Sequence, residues 1–158
     1  MSEIMVPRPN KYFLVSGDAD DITPLNAFDA ALIAAGIGNT NLIKVSSIIA
    51  PGSTKIEPVP IPFGSLVPVA YASITSDIPG EIIAAAVAAA VPDDPDMPGV
   101  VMEYAAKCHR EDAERVVRLM ARRAIEIRGC KIKDLSVISA EHKVEKIGAV
   151  FAGVVMWW

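Results

Sequence analysis

Apolar positions first gather at residues 11–16, KYFLVS, a short run that predicts a β-strand ending at Gly17; the acidic DADD after it predicts a solvated turn. The period then changes. Leu25, Phe28, Leu32 and Ala35 recur at helical spacing while Asn26, Asp29 and Ile33 turn elsewhere, with Thr23 as N-cap, Pro24 at the first helical position and Gly36 as the stop. Residues 40–49, TNLIKVSSII, are rich in β-branched types and predict one strand leaving the GIGN turn. Five prolines from Pro51 to Pro68 predict an extended loop, and another strand follows at 65–76.

Gly80 to Val91 reads as a small Ala-rich helix, buried for want of bulky polar residues, and PDDPDMPG as a loop. Residues 99–107, GVVMEYAAK, predict a strand with Glu103 in its middle. Ala113, Val116, Val117, Met120, Ala124 and Ile127 mark the clearest helix, from about His109 to Arg128, with Glu111–Arg115 and Glu114–Arg118 as pairs on its wet face and Gly129 as its end. Segments 130–142 and 147–157 predict two strands joined in a hairpin by the charged turn at Lys143–Lys146. Strands and helices alternate irregularly, so the class is α+β with antiparallel sheet and helices on its outer faces.

The chain has 158 residues, the length of one domain, and 52 % of them are hydrophobic, enough to bury a sizeable core. The longest apolar runs, Ile82–Val91 and Ala149–Trp158, hold ten residues each, against roughly 20 for a membrane-crossing helix. The start, MSEIMVPRPNKYF, does not read as a secretory signal, and a cytoplasmic protein without a membrane partner is expected. A net charge of −4 opposes nucleic-acid binding. Cys108 and Cys130, with no second pair, form neither a disulfide framework nor a zinc spacing and read as ordinary buried thiols.

Conventional catalytic apparatus is scarce. His109 and His142 are the only histidines, GIGN lacks the third glycine of a dinucleotide loop, and no phosphate-binding GxxxxGK[ST] pattern occurs. Two features stand out: the Ser46–Ser47 pair closing a strand beside the proline-rich loop, and Glu103 between GVVM and YAA. Each has an ordinary explanation, since serines satisfy turn backbones and a strand Glu faces water.

The strings TPLNAFDAALIAAGIGNTNLIKVSSI, LVPVAY, SDIPGE, VMEY and AEHKVEKIGAVFA span almost the whole chain, and in order and spacing they resemble the pyruvoyl-dependent arginine decarboxylases of archaea and some bacteria. The resemblance implies a four-layer αββα sandwich with mainly antiparallel sheets, assembled as a trimer or a dimer of trimers with sites between subunits. It also implies self-cleavage at Ser46–Ser47 into a β-chain of residues 1–46 and an α-chain of 47–158. Ser47 would become a covalent pyruvoyl group, an electron sink comparable to PLP, with no PLP and no metal required. The activity implied is conversion of L-arginine to agmatine and carbon dioxide in polyamine synthesis.

By the same resemblance Glu103 is the proton donor, a carboxyl whose apolar setting favours its protonated form. Asn41 lies near the pyruvoyl as a neutral donor to developing negative charge. Asp29 accepts two parallel N–H bonds from the guanidinium, Leu32 walls the methylene stem, and Gly38 and Ser46 complete the substrate contacts. The alternatives are the same chemistry on another amino acid, a non-cleaving oligomeric binding protein, and, less well supported, a hydrolase using Ser47 directly.

Overall fold

The computed structural model describes residues 6–158, so residues 1–5 of the amino-terminal stretch read above lie outside the described residues. The elements are β1 (Lys11–Asp21), α1 (Pro24–Ala34), β2 (Asn41–Lys44), β3 (Ile48–Ile49), β4 (Thr54–Lys55), β5 (Leu66–Ser76), β6 (Ile82–Pro92), β7 (Gly99–Ala106), α2 (Arg110–Ile127), β8 (Ile132–Lys143) and β9 (Ile147–Trp157). They form one sheet in the order β2-β5-β9-β1-β4 and a second in the order β3-β7-β6-β8. Only β1–β4 and β2–β5 pair in parallel.

Side-chain alternation along the strands builds four layers. In β9, Ala149, Phe151 and Val155 pack with Ala27 and Ala31 of α1, while Val150, Ala152 and Val154 face Val87, Ala89 and Val101 of the second sheet. On the far side of that sheet, Ala84, Ala86 and Ala88 receive Ala113, Val117 and Ala121 of α2. The α+β class read from the sequence and the αββα layering implied by the resemblance are both present. Gly17 shows how closely the layers approach: a β-carbon there would collide with the carbonyl oxygen of Ala31, so α1 rests directly on the β1 backbone.

Several boundaries differ from the expectations. Residues 82–92 are a strand, not a helix. Their alanines do not express helix propensity because both strand edges are paired and both faces are covered, and small side chains let α2 and the first sheet close in from either side. The 40–49 run is broken into β2 and β3, which lie in different sheets, and the proline-rich loop carries the two-residue strand β4. In α1 the buried residues are Ala27, Ala31 and Leu32, and Leu25 is 75 % exposed; in α2, Ile127 is likewise exposed and Arg115 pairs with Asp112 rather than Glu111. Glu114 turns to accept from the Ser139 hydroxyl. Cys108 and Cys130 are free and half-buried. No helix among the described residues is long and apolar enough to cross a membrane.

The expected hairpin of the last two strands is also absent, because β8 pairs with β6 while β9 lies between β5 and β1 in the other sheet. Val144 is the reason: it is buried, and its N–H donates to Glu81, turning the linker inward as a corner between sheets. The acidic stretch after Gly17, expected as a solvated turn, continues β1 and holds that corner. His142 bonds Asp18 at 2.8 Å and Asp20 at 2.9 Å, and Asp20 accepts the N–H groups of Glu145 and Lys146.

Burial disfavours the His142 cation, but the hydrogen bonds and charges of Asp20 and Asp18 outweigh it and raise its pKa. Burial likewise opposes the Asp20 carboxylate, and the His142 and backbone hydrogen bonds overcome it, lowering the pKa to about 2. The histidine term is complete below the ordinary value of 6.5 and fades as pH rises through the raised one; the aspartate term is complete above 3.8 and fades as pH falls through about 2. His142→Gln is therefore expected to cost about 2 kcal/mol near pH 5.5, and less near pH 9. Thermal denaturation at the two values checks this, and an equal loss at both would mean that the histidine is uncharged in the clasp.

Candidate active site

The chain passes from one sheet to the other within three residues, Val45–Ser47. Val45 still donates its N–H to Val69 of β5, Ile48 already pairs with Val100 of β7, and the Ser47 carbonyl accepts the Val101 N–H at 2.9 Å. Ser47 has φ +84°, the only positive φ outside glycine among the described residues. A side chain in this region strains the backbone by roughly 1–2 kcal/mol, and here the strain falls at the Ser46–Ser47 peptide. Ser46 is exposed and Ser47 half-buried.

Glu103 stands on the strand that binds Ser47. It lies two residues beyond Val101, hence roughly 7 Å along β7 on the same face, the face turned toward the first sheet. Its Oε1 lies 3.6 Å from Lys44 Nζ, while Oε2 is buried without a hydrogen-bond partner, the only such side-chain atom among the described residues. Burial raises the Glu103 pKa, with the Lys44 charge and contact pulling it back. A buried oxygen with nothing to accept from is costly on a carboxylate and acceptable on a carboxylic acid, so this environment favours the protonated form.

Lys44 completes the cluster. It ends β2 opposite Val69, and its ammonium sits 4.6 Å from the centre of the Tyr71 ring on β5. Tyr71 in turn packs on Phe28 of α1 and Phe151 of β9. The sequence reading did not single out Lys44; the available signal was a lone cation in the apolar run NLIKVSSI, two positions before the serine pair.

The remaining expected residues, Asn41, Asp29, Leu32 and Gly38, are not drawn to Ser47. Asn41 begins β2, roughly 10 Å up the strand from Lys44, and its amide donates to the Gly64 carbonyl. Leu32 is buried in the layer between α1 and the first sheet, and Asp29 is exposed on α1 with no side-chain partner among the described residues. Gly38 lies against Ile33 so tightly that a β-carbon would meet that side chain and the Ile33 nitrogen, 2.7 Å away. Elsewhere, ligand atoms of His109, Glu111 and Glu141 lie within 4.8 Å of one another at the start of α2. That group is largely exposed, Glu141 already binds His109 and the Arg110 N–H, and the positive end of a helix disfavours a cation.

The chain matches one family of known proteins along nearly its whole length. The model of the pyruvoyl-dependent arginine decarboxylase family matches residues 11–157. The chain is 48 % identical over 151 residues to the pyruvoyl-dependent arginine decarboxylase of Methanocaldococcus jannaschii, covering 95 % of this chain and 91 % of that one. It is 42 % identical over 152 residues to the enzyme of the same name from Pyrococcus horikoshii, covering 94 % and 96 %. A solved pyruvoyl-dependent histidine decarboxylase is similar at TM-score 0.48 and 18 % identity, over 61 % of this chain and 51 % of its own.

Proposed function

Because this chain belongs to the pyruvoyl-dependent arginine decarboxylase family, we propose that it converts L-arginine to agmatine and carbon dioxide by means of a ketone made from its own Ser47. The observation that carries the reading is the buried, unpartnered Glu103 Oε2 on the strand that hydrogen-bonds Ser47. Strain at Ser47 favours opening the bond before it.

In the proposed processing, Ser47 Oγ bonds to the Ser46 carbonyl carbon as that carbon's bond to the Ser47 nitrogen breaks. Loss of the Cα proton and of the Cβ–Oγ bond frees Ser46 as a carboxylate, and water displaces the nitrogen as ammonia to leave the ketone. The products are a β-chain of residues 1–46 and an α-chain of 47–158. Bound to substrate, the ketone supplies a sink for the electron pair left behind by carbon dioxide. Glu103 then gives its proton to the substrate Cα, and the apolar walls of Val87 and Val101 around it exclude competing water.

Asn41, Asp29, Leu32 and Gly38 reach a substrate in this reading from a neighbouring protomer, with Asp29 gripping the guanidinium and Asn41 the reacting end. Support comes from the surface around them. β2 is a sheet edge, and Ile33, Ile43, Phe63 and Leu66 near it are exposed, Phe63 at 85 %. A trimer, or two stacked trimers, would cover them. The compartment proposed is the cytoplasm.

Intact mass of the purified chain, with carbon dioxide release measured across the amino acids, tests the proposal. Two fragments divided after residue 46 and release from arginine are expected. An unbroken chain in active material would overturn the route, and release without preference for arginine would overturn the substrate.

A further inference from the structure

We infer that Lys44 is a positioning residue, holding Glu103 through Oε1 and thereby keeping the transferable proton on the buried Oε2. The inference rests on the reading of Glu103 as proton donor.

The two oxygens of this carboxyl are not equivalent. Oε1 faces an ammonium at 3.6 Å, and an ammonium carries three donors and no acceptor, so a proton on Oε1 would point at a cation. Oε2 is buried and meets no partner. The acid form is therefore directed to Oε2, and the side chain is anchored at its other end. Lys44 is itself fixed, by the strand register that sets it opposite Val69 and by the Tyr71 ring beneath its ammonium.

Among the described residues no other charge competes for this role. β3 and β6, which flank β7, carry no charged residue, and neither do β5 and β9 across the layer; Tyr71 is the titratable group that β5 contributes, and α2 packs on the opposite face of β7. Burial raises the Glu103 pKa and Lys44 alone opposes it. Its aliphatic stem and its charge can thus be separated by Lys44→Met, which keeps the first and removes the second, and by Lys44→Arg, which keeps the charge.

The first measurement needs no turnover: carboxyl-carbon NMR titration of Glu103 in the uncleaved Ser47→Ala background, with and without Lys44→Met. Removing one facing charge is expected to move the Glu103 midpoint up by about one pH unit, and an unmoved midpoint overturns the inference. The second uses processed enzyme. Lys44→Met is expected to lower kcat about tenfold with KM for arginine nearly unchanged and to shift the alkaline limb of kcat upward, with Lys44→Arg restoring both. A raised KM with the limb in place would make Lys44 a substrate-carboxylate contact instead, which overturns the positioning role. In a Glu103→Gln background Lys44→Met should cost nothing more. Normal turnover in Glu103→Gln alone would remove the donor reading, an outcome separate from any result on Lys44.

Discussion

Ser47→Ala is expected to leave one 16.8 kDa chain with no decarboxylase activity, folded as the parent is. The alanine keeps the β-carbon and loses only the oxygen that would attack the Ser46 carbonyl, and no second hydroxyl lies within the three residues that cross between the sheets, except that of Ser46 on the wrong side of the bond. Intact mass and carbon dioxide release must fail together. Cleavage or turnover in this variant would place the nucleophile elsewhere. A companion change separates chemistry from strain. Ser47→Gly also lacks the hydroxyl and also stays whole, but glycine accepts φ +84° freely, so it should be more stable than the alanine variant by up to about 1 kcal/mol in thermal denaturation. Equal stability would mean that the backbone at residue 47 stores no strain.

The layers around that bond were largely legible, and the reasons are local. Thr23 and Pro24 cap α1 as their types dictate, with the Thr23 hydroxyl accepting the Asn26 N–H. Strands β5 and β7 run where their β-branched residues lie. What the chain did not disclose depends on pairing between distant segments. The alanines of β6 favour a helix in isolation and become a strand only because β7 and β8 take both its edges. The ends of β8 and β9 look like a hairpin until Val144 is found buried against Glu81.

The candidate site divides in the same way. Ser47 and Glu103 were marked by being polar residues in apolar runs, and the structure puts Glu103 two residues along β7 from Val101, whose N–H donates to the Ser47 carbonyl. Lys44 carried the same mark, a lone cation in an apolar run, but a lysine in an edge strand ordinarily points to water, and only the structure sets it beside Glu103. Asn41, Asp29, Leu32 and Gly38 were named by resemblance alone. In the structure Asn41 and Gly38 have local structural duties, Leu32 is core, and Asp29 has no side-chain partner among the described residues, so nothing in the single chain draws them to Ser47.

Glu103→Gln is expected to yield a chain that still divides after residue 46 but turns over 10²- to 10⁴-fold more slowly, the range lost when a positioned general acid is removed. The amide matches the carboxyl in shape, and its oxygen can accept from Lys44 as Oε1 does. Its NH2 then occupies the place of Oε2, where no acceptor waits, a cost of about 1–3 kcal/mol that thermal denaturation should register. Arginine should bind nearly as before, so the loss belongs in kcat. The pH profile gives the sharper distinction. With glutamic acid as donor, rate falls as pH rises through the raised Glu103 pKa, because the proton is gone before the substrate needs it. With glutamine that alkaline limb should vanish from the residual rate, whereas a residue serving only to pack the gap between the sheets would lower the rate and leave the limb in place.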